Sequence, residues 1–187
     1  KVHLFQVGTP ASNELRILAE DGNPVPLANL ATSLGGVMDV LALDAPLPPG
    51  ASVTKRIKGS VDARLLSFAS MLVETNDGFA GADGILLFGE NGEPRTLTVD
   101  LLAFDAGTEE NNELKTHVPG PPFSGGQRAP TTDVVRLHPG ITGKADVSTA
   151  FGWTGPVARL TVTPVEEEEA EIVAYGYATL SGAQEVP

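Results

Sequence analysis

The chain contains no cysteine. That excludes disulfides, thiolate nucleophiles and Cys-ligated zinc. It is also short of bases, with 12 Lys and Arg against 24 Asp and Glu, a formal charge of −12 over 187 residues. Phosphate binding needs clustered Lys and Arg, so nucleic acid is not an expected partner. Aromatic residues are few (seven Phe, two Tyr and one Trp), which gives little with which to line a hydrolase groove. Apolar runs such as "LLAF" and "ILLF" fall far short of the roughly 20 residues that span a membrane. Several catalytic spacings are missing as well. There is no H-E-x-x-H, no G-x-S-x-G elbow and no phosphate-cradling glycine loop followed by Lys. His3, His117 and His138 are widely separated and read as surface or loop residues.

What is present points to one domain of ordinary size. "TPASNELRILAEDGN" offers Ser12 or Thr9 as a helix N-cap, an apolar face at Leu15, Leu18 and Ala19, and Gly22 as a stop. "PLANLATSL" adds a second short helical turn. After Val37 the chain breaks into short apolar segments separated by Pro, Gly and Asp. The candidate strands are "GVMDVLALD", "ASVTKRIKG", "ARLLSFASMLV", "GADGILLFG", "LTVDLLAFD", "ADVSTAFGW" and "ARLTVTPV". Their spacing predicts a mostly-β fold, an antiparallel β-sandwich with one or two short helices near the N-terminus. Residues 118–130 are too rich in Pro and Gly for regular structure and read as a long surface loop. Trp153 is a candidate for ligand contact, or a core residue, the commoner fate of a tryptophan.

Two acidic loops follow predicted strands. "VETNDGFAGADG" carries Asn76, Asp77 and Asp83, and "FDAGTEENNE" carries Asp105, Glu109, Glu110, Asn111 and Glu113. Carboxylates brought together at one end of a sandwich repel unless a cation intervenes. Ca²⁺ would use their oxygens, with Asn side chains and backbone carbonyls completing its shell. Gly107 would allow the chain to turn tightly between Asp105 and Glu109. The same residues are standard turn formers, and no EF-hand spacing is present. Composition alone therefore favours ordinary polar turns over a metal site.

"LLSFASMLVETNDGFAGADGILLF" followed by "LTVDLLAFDAGTEENNE" resembles the spondin N-terminal domain family, as do "LFQVGTPASNELRILAEDGN" and "GPVARLTVTPV". The likeness runs over residues 2–165. It implies a C2-like β-sandwich, secreted or at the cell surface, of the kind found in F-spondin, mindin and prokaryotic secreted proteins. It also implies a non-enzymatic role in adhesion or binding to an extracellular matrix or cell-surface ligand, with a Ca²⁺ site. By motif position the implied ligands are Asp77, Asp105 and Glu109, with Asn76, Asp83 and Asn111 as possible additional ligands. Glu110 and Glu113 are then solvated neighbours. The family's eukaryotic pattern has Asp where this chain has Glu109.

The chain's end differs in character. An acidic run at 166–169 reads as a linker, and 172–180 as a strand. "YATLSGAQEVP" resembles the opening of a CHRD module. Residues 1–165 are thus expected to form the spondin-like domain. Residues 166–187 are expected to form a linker with either the first strand of a further module or a strand donated to another copy. Donation would make the protein a filament subunit assembled by strand exchange. A hydrolase using the acidic loops is the remaining alternative.

Overall fold

A computed structural model of the protein describes residues 3–43, 45–165 and 176–179. The first element, helix α1 (Asn13–Asp21), is bounded by its own side chains and a glycine. Ser12 Oγ accepts the Leu15 amide at 3.1 Å. Gly22, at φ 67°, ends the helix by donating its N–H to the Leu18 carbonyl. Ser12→Ala should cost about 1 kcal/mol, read as a lower urea midpoint at unchanged slope. Helix α2 (Val25–Ser33) follows, with prolines at its first turn and Leu27 and Ala31 buried one turn apart.

Among the described residues seven strands follow: β1 (Val53–Thr54), β2 (Leu65–Met71), β3 (Gly78–Leu86), β4 (Leu97–Asp105), β5 (Arg136–Leu137), β6 (Ala158–Val162) and β7 (Gly176–Thr179). All pairings are antiparallel, in the order β1-β7-β6-β4-β3-β2, with β5 also on β4. Strand β4 belongs to both halves of this curled sheet. Its residues 97–101 pair with β6, and its residues 102–105 pair with β3. The result is the mostly-β, sandwich-like fold with two short N-terminal helices that the sequence predicts.

Alternation along β3 and β4 sends neighbouring side chains into two cores. Ala80, Leu101 and Ala103 join Phe88, Val157, Leu160 and Val162 between the sheet halves, with Trp153 packed against them. Phe79 and, partly buried, Phe104 face the other way, onto Phe5, Leu15 and Leu18. Phe5 sits edge-on to Phe79 with ring centroids 5.0 Å apart.

Three predicted strands are absent or shortened. Residues 36–43 and 145–153 form no strand, apart from a 3-10 turn at Thr149–Phe151, and 51–59 contributes only β1. A strand needs a partner as well as a pattern, and Pro46, Pro48 and Pro49 deny the first of these segments a straight continuation. The predicted strand at 172–180 supplies β7. It pairs with β6 from Arg159↔Thr179 to Val162↔Gly176 and with β1 on its other side. The acidic run at 166–169 and the terminal "SGAQEVP" lie outside the described residues.

Candidate metal centre

The register Gly78↔Asp105 sets the two acidic loops side by side at one end of β3 and β4. Asp77, one residue before β3, and Asp105, the last of β4, are both fully buried. The Asp77 carboxylate is gripped on one side only. Its Oδ2 accepts from the amides of Thr108 (2.7 Å) and Glu109 (2.9 Å) and from the Thr108 hydroxyl (3.2 Å). Its Oδ1 is buried and has no hydrogen-bond partner.

Asp105 is held on both sides. Oδ1 accepts the Gly107 amide at 2.7 Å, while Oδ2 accepts Asn111 Nδ2 at 2.6 Å and Arg136 Nη2 at 2.9 Å. Asn111 Oδ1, on the same amide, is a second buried oxygen with no partner. Gly107 is required here: its φ is 74°, and an added Cβ would stand 2.8 Å from the Val134 carbonyl oxygen.

Of the two carboxylates, Asp77 titrates abnormally. Burial, reinforced by the negative charge of Asp105, pushes the Asp77 pKa up to about 6. His138 lies beyond them on the chain segment that pairs with β4. Its Nδ1 accepts the Gly140 amide at 3.0 Å, so Nε2 carries the proton, and Nε2 is buried without a partner. Burial drives the His138 pKa down to about 4, against the opposing pull of Asp105. His138, expected at the surface or in a loop, lies just past β5, partly buried with its Nε2 enclosed. The alternation of "RLH" was the available signal, because it puts Arg136 and His138 on one face of a strand beside β4.

The other candidate ligands are placed differently. Glu109 is buried, but its Oε2 accepts the Ala129 amide at 2.7 Å and its Oε1 faces Arg128 Nε at 4.0 Å. Its direct link to Asp77 is through its backbone N–H. Asn76 is committed on both atoms, accepting from the Glu113 amide at 3.4 Å and donating to Asn112 Oδ1 at 3.2 Å. Asp83 lies six residues along β3 from Asp77, about 20 Å away on an extended strand. It binds Ser67 Oγ (2.7 Å), the Leu4 amide (3.2 Å) and His3, so it anchors the N-terminal segment instead. Glu110 is exposed.

Glu113 corrects its reading as a solvated neighbour, for it is buried. Oε1 accepts from the Thr142 amide (2.7 Å) and hydroxyl (2.8 Å), and Oε2 from the Lys144 amide (2.9 Å). Burial alone would raise its pKa, but these bonds together with one from Gly143 hold it below the usual carboxylate range. Its backbone carbonyl also accepts the amides of Asp146 and Val147. Glu113 therefore ties the acidic loop to residues 142–147.

Among the described residues, no group of three or more His, Asp or Glu side chains stands together in a form that could hold a metal ion. The centre consists of two buried carboxylates and an amide, with two oxygens left over. The Spondin_N family model matches residues 1–118, well over half of the chain and including every residue of the two acidic loops. The chain belongs to the spondin N-terminal domain family. No curated protein matches it. A spondin N-terminal domain is an extracellular, matrix or adhesion type of domain and not a catalytic one. No helix among the described residues of this spondin domain is long and apolar enough to cross a membrane.

Proposed function

We propose that this spondin domain is a secreted or cell-surface adhesion module that binds Ca²⁺ at the Asp77–Asp105 end of its sheet. The observation that carries this reading is the pair of buried, unpartnered oxygens, Asp77 Oδ1 and Asn111 Oδ1, next to a second buried carboxylate. An orphaned buried acceptor costs about 1–3 kcal/mol, and a charged one more. A hard divalent cation removes that cost, since it takes oxygen donors of this kind, carboxylate and amide alike. The residues that would hold it are Asp77, Asp105 and Asn111. Glu109, proposed from the family pattern as a ligand, serves here by fixing Asp77 through its N–H and by docking Ala129. A bound cation would stiffen the loops it joins and so set the shape they present to a matrix or cell-surface ligand.

The alternatives find less support. Both carboxylates are fully buried, so neither is presented to a substrate from solvent. Strand β7 pairs within its own chain between β6 and β1, the position a donated strand would need.

The test is thermal unfolding of the chain in CaCl2 and in chelator. Ca²⁺ should raise the midpoint, and chelator should reverse the rise. Asp105→Asn should abolish the response. An unchanged midpoint in the wild type would remove the cation reading.

A further inference from the structure

Resting on that reading, we infer that Arg136 is a built-in counter-cation. It occupies Asp105 when no metal is bound and must give up that hold for the ion to enter.

The argument begins with charge. Asp77 and Asp105 are both fully buried and repel one another. Something must offset Asp105, and the structure supplies it across the ladder. Arg136 is the residue paired with Asp105 in the β4–β5 register. Its Nη2 donates to Asp105 Oδ2 at 2.9 Å. Its other terminal nitrogen, Nη1, reaches the exposed carboxylate of Asp133. The Arg136 side chain is 42% exposed, so it spans from the buried acid to the surface.

That bridging geometry is what a displaceable charge requires. A divalent ion at Asp105 would meet a full positive charge on one of the two oxygens it needs, and like charges at such range repel strongly. Asp133 offers the guanidinium a second partner that is already in contact. Arg136 can therefore loosen from Asp105 without being left unpaired. Asp105 Oδ1 and Asn111 are held independently, by Gly107 and by Asp105 itself, so the remaining donors stay in place. The same residue then both stabilises the metal-free fold and weakens affinity for the ion. It tunes the calcium concentration at which the site fills.

A residue that merely supports the structure would weaken cation binding when removed, whereas a competing counter-cation strengthens it. Titration calorimetry with CaCl2 on the full chain separates these. Arg136→Gln should bind Ca²⁺ about tenfold more tightly than the wild type. Its metal-free midpoint should fall while its Ca²⁺-loaded midpoint stays close to that of the wild type. Arg136→Lys keeps the charge but cannot fork between two carboxylates, and should tighten binding by a smaller factor. It also serves if Arg136→Gln folds only with Ca²⁺ present. Equal or weaker binding in these variants, with the wild type still responding to Ca²⁺, overturns the role of Arg136 and leaves the metal site standing. No heat of binding in any of the three proteins overturns both.

Discussion

Asp77→Asn should make the metal-free protein more stable at pH 7.5, by about 1–3 kcal/mol, although it removes a native charge. With a pKa of about 6 in the fold against an ordinary 3.8, Asp77 is ionised at pH 7.5 at a cost of about 3 kcal/mol. An asparagine oxygen can still accept from Thr108 and Glu109, as Asp77 Oδ2 does. Its NH2 would stand where the orphaned Oδ1 is now, replacing an unpaired acceptor with a neutral donor. The lower limit of the gain reflects the weaker bonds a neutral acceptor makes. Urea unfolding in chelator measures the difference, and a domain of this size should gain roughly 2–4 °C in midpoint per kcal/mol. In CaCl2 the ranking should invert, because the wild type gains from the ion and the variant does not. A variant less stable than wild type in chelator would mean that the Asp77 charge is already compensated.

The second result concerns pH and involves two groups of opposite sign. Asp77 has a raised pKa, so its contribution is fully present below pH 3.8 and is lost as pH rises through about 6. His138 has a depressed pKa, so its contribution is present above pH 6.5 and is lost as pH falls through about 4. The two windows overlap between about pH 4 and 6. Each group is worth about 3 kcal/mol there, by its separation from the ordinary value. In the wild type the pair nearly cancels, and acidification from pH 6.5 to 4 moves stability little on their account. Single substitutions unmask each half. Asp77→Asn should lose about 3 kcal/mol more than wild type on that acidification. His138→Asn, which keeps an acceptor for Gly140, should gain a similar amount relative to wild type. Denaturant midpoints at pH 4, 5 and 6.5 in metal-free buffer would test this, and three parallel profiles would refute it.

Local chemistry made some of the structure legible from residues alone. Helix α1 begins at the Ser12 cap and ends at Gly22, and the segment "LTVDLLAFD" coincides with β4 from end to end. Both follow from interactions within a few residues. The pairing of Asp77 with Asp105 was legible as well, because each sits at the mouth of a strand and neighbouring antiparallel strands share their ends. What escaped was set by distant partners. Glu113 reads as one more acid in a charged loop until the amides of Thr142 and Lys144, about thirty residues on, close over it. The unpaired nitrogen of His138 depends on β5 joining β4, a pairing of two residues for which the alternation of "RLH" is a faint signal that names no partner. Asp83 failed in the opposite way. Near Asp77 in sequence, it is carried down an extended strand to serve the N-terminal segment.

The sharing of β4 has a mechanical consequence for a domain of the matrix. A ligand held at one half of the sheet and a tether at the other would transmit load through this single strand. Force would enter along residues 97–101 from β6 and leave along residues 102–105 to β3. Load along the strand axis strains each ladder as a set, with its hydrogen bonds working in parallel instead of parting one after another. The acidic centre sits at the downstream end of that path. An ion bound across Asp77 and Asp105 would then act as a clasp on β3 and β4 where the pull leaves the strand.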